Sequence, residues 1–178
     1  MNNNSESWNQ SNVVSFFDSH RMTTSDIYPS EWFFLKDELQ EGMSILDIGC
    51  AQGGFAGIIS EHLNNFSYTG VDISEEMIVK AKAKYPHHTF HIVKENDYSK
   101  IKGNYDISIV LGILHLHESW RNTIKVAWNY TKSSLILDLR QISEESVEDK
   151  NKSFFTMDIN GSNEDYSEVL PYNLINSG

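Results

Sequence analysis

Two histidines and two aspartates stand where apolar stretches of this chain come to an end. His115 and His117 follow one apolar run, whereas Asp47 and Asp72 lie at the ends of two others. A histidine can accept a proton near neutral pH, and a carboxylate can accept the hydroxyl protons of a ribose. The residue types therefore predict a nucleoside site beside a general base. For the histidines, a role in supporting their own loop is the alternative.

A glycine-rich turn connects Asp47 to the residues that follow. Residues 49–54 read Gly-Cys-Ala-Gln-Gly-Gly, and Asp72 stands nineteen residues beyond Gly53. Small residues let the backbone approach a bound nucleoside closely, and a carboxylate at the end of the next strand suits a ribose. On its own, this turn is compatible with NAD and with S-adenosylmethionine.

Apolar runs alternate with helical patterns along most of the chain, and these elements must position the polar residues. Apolar strands separated by amphipathic helices predict a parallel sheet covered on both faces, an α/β Rossmann-like, doubly wound fold. Ser30 and Ser74 are predicted N-caps, and Trp128 is predicted on the apolar face of the last helix. Strands are predicted at 45–48, 68–72, 89–93, 105–111 and 134–139, and helices at 30–40, 55–63, 74–81 and 120–128.

Three segments are predicted within one domain. Residues 1–27 form an N-terminal segment, partly disordered or helical, that acts as a lid, and residues 28–140 form the nucleoside-binding core. Residues 141–178 are acidic and fit an insertion or second lid. In this tail, 154–157 and 169–172 are predicted to be extended, on either side of a turn at Asn160 and Gly161.

Composition excludes several classes of function. The formal charge of −11 over 178 residues disfavours a nucleic-acid partner, because phosphate backbones need a basic surface. A single cysteine, Cys50, gives no reason to expect an oxidising compartment, and the N-terminus lacks the pattern of a signal peptide. We therefore expect a cytoplasmic protein that needs no membrane and no metal, and the oligomeric state stays open.

Three features favour S-adenosylmethionine over NAD. Asp47 precedes Gly49 by two residues, where a carboxylate helps an ammonium group but not a pyrophosphate. A polar cluster at 95–97 follows the third strand, where an adenine amino group needs an acceptor. The fourth strand runs into Leu111 and Gly112 at the ligand-binding edge of such sheets, just before the histidines.

Taken together, these motifs resemble those of class I S-adenosylmethionine-dependent methyltransferases of the small methyltransferase-domain type. The matching stretches are LDIGCAQGG (46–54), YTGVDISEEMI (68–78), ENDY (95–98), YDISIVLGILHLH (105–117) and SLILDLR (134–140). The resemblance covers roughly residues 28–140. It implies that a set of residues contacts the cofactor: Asp47, Gly49, Cys50, Ala51 and Gly53 towards its methionine part, Asp72 at the ribose, Ile73 and Met77 near the adenine, Asn96, Asp97 or Tyr98 at the adenine edge, and Leu111 and Gly112 beside them.

The resemblance also implies a reaction, methyl transfer to a small-molecule acceptor, with His115 or His117 as the base. Oxygen is favoured over nitrogen as the methylated atom, since the chain lacks the Asn/Asp-Pro-Pro-aromatic turn of enzymes that methylate nucleic-acid amines. Family members carry two further strands after the fifth, and only 38 residues follow Arg140, so the C-terminal strands are expected to be missing or incomplete.

Two alternatives remain at this point. The first is a non-catalytic module or scaffold that binds S-adenosylmethionine. The second is an NAD-dependent oxidoreductase or epimerase, which is disfavoured because the chain contains no Tyr-x-x-x-Lys pair.

Overall fold

The computed structural model of the protein describes residues 8–94, 96–149, 152–153, 156–158 and 169–176. Its main sheet has five parallel strands in the order β3-β2-β1-β4-β5. The strands are β1 (Ser44–Ile48), β2 (Ser67–Asp72), β3 (Thr89–Ile92), β4 (Tyr105–Val110) and β5 (Thr131–Leu137). The chain changes direction across the sheet between β1 and β4, and ligands of such sheets bind in the crevice at that point. The predicted α/β fold class is confirmed.

Helices cover both faces of this sheet. They are α1 (Ser11–Phe16), α2 (Pro29–Lys36), α3 (Gly54–Ser60), α4 (Glu75–Lys84) and α5 (Trp120–Tyr130), with a 3-10 turn at Thr24–Asp26. Successive residues of β1 point to opposite faces, so Ile45 packs in one apolar cluster with Ile58, whereas Leu46 packs in another with Trp120. Both faces of the sheet are therefore apolar, as the continuous apolar strands predict.

Helix α4 begins where its sequence predicts. The Ser74 side chain accepts a hydrogen bond from the Met77 N–H, which satisfies one of the free donors of the first turn. Two glutamates stand in the first turn and two lysines in the last, each placed favourably in the field of the helix dipole. This helix follows β2 directly, so its start fixes the backbone beside Asp72.

Two predicted helix features are wrong. Helix α2 starts at Pro29 with Tyr28 as its N-cap, not at Ser30, because proline suits the first helical position and the Glu31 carboxylate accepts the Tyr28 N–H at 2.9 Å. Trp128 is 62% exposed. The buried face of α5 contains Trp120, Thr123 and Ala127, so the side chain of Trp128 points away from the sheet.

Short strands follow the main sheet. β6 (Gln141–Ile142) pairs in parallel with β9 (Ile175–Asn176), and β7 (Thr156–Asp158) pairs antiparallel with β8 (Val169–Pro171). The extended pieces predicted in the tail are thus confirmed at 156–157 and 169–171. Residues 154–155, the turn at Asn160 and Gly161, and residues 1–7 of the N-terminal segment lie outside the described residues.

Among the described residues, no helix is both long enough and apolar enough to cross a membrane.

We expect Gly70→Ala to destabilise the sheet. A Cβ on Gly70 in β2 would lie 2.7 Å from the Cys50 Sγ and 2.8 Å from the Phe90 ring. Overpacking of this kind costs about 1–3 kcal/mol in the free energy of unfolding, which urea denaturation would measure. Adding Cys50→Ala removes the nearest contact and should recover part of the loss. An equal loss in both backgrounds would contradict this explanation.

Candidate active site

A cavity of about 690 Å³ lies at the carboxyl edge of the sheet. This volume is within the roughly 300–1,000 Å³ of small-molecule sites. Its walls come from the N-terminal segment, the glycine-rich loop after β1, the ends of β2 and β4, the loop after β4, and one residue after β5. The cavity therefore lies where the sequence predicts the binding site.

The glycine-rich loop is hydrogen-bonded to the end of β2. The N–H groups of Gly49 and Cys50 both donate to the Val71 carbonyl, at 2.8 and 3.1 Å. Gly49 has a φ of +85°, and a Cβ there would lie 2.7 Å from the Ile113 side chain. Ala51 also adopts a left-handed φ, +46°, a conformation that costs a non-glycine residue about 1–2 kcal/mol. The loop thus leaves its backbone exposed to the cavity.

The Asp72 carboxylate holds this loop in place. One oxygen accepts the Ala51 N–H at 2.9 Å, and the other accepts the Ser74 N–H at 2.9 Å. Burial raises the pKa of Asp72 above its usual range, and backbone donors of Ser74, Ala51 and Ile73 oppose that shift. A carboxylate has about four lone-pair sites, so Asp72 can still accept a hydrogen bond from a ligand in the cavity.

Asp47 and Gly53 lie outside the cavity lining. The buried Asp47 accepts a hydrogen bond from the Tyr68 hydroxyl, and burial raises the pKa of Asp47 to about 7. Gly53 lies against the rings of Phe90 and Tyr85. Cys50 does line the cavity, and burial raises the pKa of its thiol well above the usual value, so it is no ready nucleophile.

Only some of the residues predicted near the adenine line the cavity. Ile73, Met77 and Tyr98 line the cavity, as do Leu111 and Gly112 near the end of β4.

Asn96 and Asp97 are placed elsewhere. The Asn96 side chain donates to the Ser119 hydroxyl at 2.7 Å, and Asp97 accepts the Ser99 N–H at 3.1 Å. Neither lines the cavity, because the chain after β3 turns tightly here and Asn96 adopts a left-handed φ of 64°.

The N-terminal segment closes one side of the cavity. The Ser74 hydroxyl donates to the Asn9 side chain at 2.6 Å, and the Gln52 side chain donates to the Val14 carbonyl at 2.7 Å. Val14 also packs with Val13 on Met77. The segment is therefore attached to the two elements that bear the glycine-rich loop and Asp72.

Both histidines line the cavity from the loop after β4. The loop is a turn in which the Leu116 N–H donates to the Ile113 carbonyl, so His115 and His117 do not stand on an extended segment. His117 Nε2 lies 3.4 Å from the Thr123 hydroxyl.

His115 is buried, and among the described residues neither of its ring nitrogens has a hydrogen-bond partner. Burial, followed by the nearby Arg140, lowers the pKa of His115 to about 4. It is thus a neutral imidazole at pH 7, and a weaker base than an exposed histidine.

Several residues of the site were not predicted from the sequence. Asn173 donates its backbone N–H to the His115 carbonyl at 2.7 Å and its side-chain amide to the His117 carbonyl at 2.8 Å. The Tyr172 ring lies 4.4 Å from the His115 ring. Arg140 follows the last main strand, and that position at the ligand edge is the one signal that could have identified it.

Metal ligands are a separate question. In the part of the chain that the structure describes, no group of three or more histidine, cysteine or acidic side chains could hold a metal ion.

Comparison with known proteins gives one family match and several similar structures. A model of the methyltransferase domain family matches residues 46–134, half of the chain. The magnesium protoporphyrin IX methyltransferase of Synechocystis PCC 6803 superposes with a TM-score of 0.52 at 21% identity, both with bound S-adenosylhomocysteine and with bound S-adenosylmethionine. These alignments cover 73% and 72% of this chain, and 57% and 59% of that enzyme.

A second similar structure is the plantazolicin methyltransferase in complex with a triazolic desmethyl analogue and S-adenosylhomocysteine. It gives a TM-score of 0.51 at 18% identity, over 77% of this chain and 48% of that one. At these identities the likeness establishes the fold, and the chain spans about half the length of the structures it matches. No curated protein matches the chain significantly.

We expect Asp47→Asn to change how stability depends on pH. The folded pKa is raised to about 7 from 3.8, so between these values the folded chain holds a proton that the unfolded chain has lost. The stability that this carboxyl contributes is therefore lost as the pH rises from about 4 to 7. Asparagine cannot ionise and still accepts from Tyr68. The melting temperature of the variant relative to the wild type should rise between pH 5 and pH 8.

Asp106→Asn is the matched control for this measurement. Hydrogen bonds from Ser44 lower the pKa of Asp106 to about 2, so its stabilising contribution is present throughout pH 5–8. This variant should be less stable than the wild type by an amount that does not change over that range. A constant difference for Asp47→Asn as well would contradict the raised pKa.

Proposed function

The chain belongs to the methyltransferase domain family, the class I S-adenosylmethionine-dependent methyltransferases, and from this we propose that it methylates a small-molecule acceptor at oxygen. The predicted family, its Rossmann-like fold and S-adenosylmethionine as its cofactor are confirmed. The reaction of this chain, its acceptor and the roles of its residues are proposals. They include residues 28–140 as the cofactor-binding core, 1–27 as a lid, 141–178 as a second segment flanking the site, and the cytoplasm as compartment.

The geometry at the ends of β1 and β2 supports cofactor binding there. The Asp72 carboxylate suits the ribose hydroxyls, and Gly49 allows the left-handed turn that brings the loop backbone close to Ile113. Ile73, Met77 and Tyr98 offer apolar contacts for the adenine on the same side. In this proposal Cys50 and Ala51 flank the methionine part.

Arg21 is the proposed partner of the methionine carboxylate. It lines the cavity beside the glycine-rich loop, with its guanidinium 5.3 Å from the centre of the Phe55 ring. A 3.0 Å ion pair with the largely buried Glu31 orients this guanidinium. Asp47, which lies behind the loop, would favour the ammonium group through the electric field rather than by contact.

S-adenosylmethionine supplies an electrophilic methyl group, to which an acceptor lone pair bonds while the carbon–sulfur bond breaks and its electron pair stays on sulfur. The chain's part is to align the acceptor, exclude water and accept the hydroxyl proton. His115 suits the last role because it is neutral, lines the cavity and has ring nitrogens that no described residue engages. His117 is the second candidate base.

One observation favours a small molecule as acceptor over a macromolecule. The cavity that contains Asp72 also contains His115, and the N-terminal segment covers one side of it. The net charge of −11 further disfavours nucleic acid. An acceptor that reaches the histidine must therefore enter this cavity.

We expect Asp72→Ala to weaken binding of S-adenosylhomocysteine about 10- to 100-fold, because it removes a charged acceptor for two hydroxyls. Isothermal titration calorimetry would measure this loss. Asp37→Ala, at the exposed end of α2, is the matched control and should bind like the wild type. If Asp72→Ala kept full affinity while still melting cooperatively, the ribose assignment would be wrong.

We expect His115→Gln to lower kcat about 100-fold with little change in S-adenosylhomocysteine affinity, because a general base contributes roughly 100- to 10,000-fold. The residual rate should rise with pH as the acceptor hydroxyl ionises unaided. His117→Gln should have a smaller effect, and His87→Gln, on the exposed surface, none. Unchanged turnover in His115→Gln would rule out His115 as the general base. Cofactor binding without transfer to any acceptor would favour a non-catalytic module.

A further inference from the structure

Two arginines line the cavity, and they belong to opposite sides of it. Arg21 lies beside the glycine-rich loop after β1. Arg140 follows β5, which is separated from β1 by β4. Neighbouring strands are about 4.8 Å apart, so the ends of β1 and β5 are separated by roughly 10 Å. Arg140 therefore lies on the side of His115, away from the proposed cofactor site.

Each arginine is held by a carboxylate that does not line the cavity. Arg140 donates to Asp138 at 3.1 Å, as Arg21 does to Glu31 at 3.0 Å. The other oxygen of Asp138 accepts the Gly112 N–H at 2.6 Å, which ties the arginine to the end of β4. A guanidinium has five N–H donors, and within the described residues this is the single hydrogen bond that the Arg140 side chain makes. Donors thus remain for a ligand.

The cavity contains two arginines, one more than the single carboxylate of the cofactor can pair with. S-adenosylmethionine carries one carboxylate, and Arg21 is placed to bind it. Of the acids in the lining, Asp72 is assigned to the ribose, and Asp26 accepts from the backbone and hydroxyl of Thr23. An anionic group that engages the remaining donors of Arg140 would then come from the acceptor.

Polar and aromatic groups share the cavity with Arg140. His115 has two buried ring nitrogens without a partner among the described residues, and Arg140 is close enough to influence its charge state. Tyr28 and Phe16 line the same cavity, and Tyr172 packs against the His115 ring. This surface fits a planar acceptor with a hydroxyl at one end and an anion at the other.

We propose that Arg140 binds a carboxylate of the acceptor and that the acceptor is an aromatic hydroxy acid. The inference rests on the proposed methyl transfer. The hydroxyl oxygen forms the new bond to the methyl carbon, its proton passes to a ring nitrogen of His115, and the sulfur of the donor keeps the electron pair of the broken bond. The carboxylate takes no part in the reaction and fixes the orientation of the ring.

The test compares acids with their neutral amides. Protein saturated with S-adenosylhomocysteine is titrated calorimetrically with 3- and 4-hydroxybenzoate and with the matching hydroxybenzamides. At least one acid should bind about tenfold more tightly than its amide, as one charge-assisted hydrogen-bond pair predicts. Arg140→Met should abolish this preference, and Arg140→Lys should keep part of it, since lysine keeps the charge but not the planar donors.

Arg121→Met is the matched control, because Arg121 also pairs with a carboxylate, Glu148, but does not line the cavity. It should keep the full preference for the acid. Binding of acid and amide with equal affinity would overturn the proposal. So would an Arg140→Met variant that weakens both equally, which would make the Arg140–Asp138 pair a support of the loop.

Cofactor binding separates this inference from the proposed function. Arg140→Met should bind S-adenosylhomocysteine as the wild type does, and a loss there would move Arg140 to the cofactor side and overturn the inference. If the wild type failed to bind S-adenosylhomocysteine, or bound it but methylated no acceptor of any charge, the proposed function itself would fail.

Discussion

The hydrogen bonds at the end of β2 determine where every other part of the site can lie. The Val71 carbonyl accepts two N–H groups of the glycine-rich loop, and the Asp72 carboxylate accepts one from Ala51 and one from Ser74. The same aspartate thus holds the loop in a left-handed conformation and borders the start of α4. The N-terminal segment docks on Ser74 and Gln52, so the cover of the cavity depends on this junction too.

Charge at this junction explains why a cationic ligand suits it. Asp47 is buried and Asp72 is half-buried. Desolvation raises the pKa of Asp47, and repulsion by Asp72 raises it further. A positive group between the loop and these carboxylates would lower their pKa values and stabilise both as anions. The sulfonium and ammonium groups of S-adenosylmethionine are such charges, whereas a pyrophosphate would add to the repulsion.

Local patterns were enough to predict the strand end and the helix start that border the cavity. Asp72 and Ser74 follow directly from a strand that ends and a helix that begins, and the strand positions came within about three residues of those observed. The prediction for Asn96 and Asp97 depended on an irregular segment, where no period fixes the direction of a side chain. Trp128 shows the same limit, because one residue of helix phase separates a buried position from an exposed one.

The acceptor side depends on contacts between distant parts of the chain, and for that reason the sequence did not disclose it. Asn173 holds the backbone of both histidines from the far end of the chain, and the neighbouring Tyr172 packs on His115. No short motif encodes such a contact, because any chain segment with an amide side chain could supply it. A fold that keeps cofactor contacts local and acceptor contacts distant can change its acceptor without disturbing its cofactor site. Arg140 lies at the boundary between the two, tied to the end of β4 through Asp138. In the proposal it is the residue at which acceptor charge is selected.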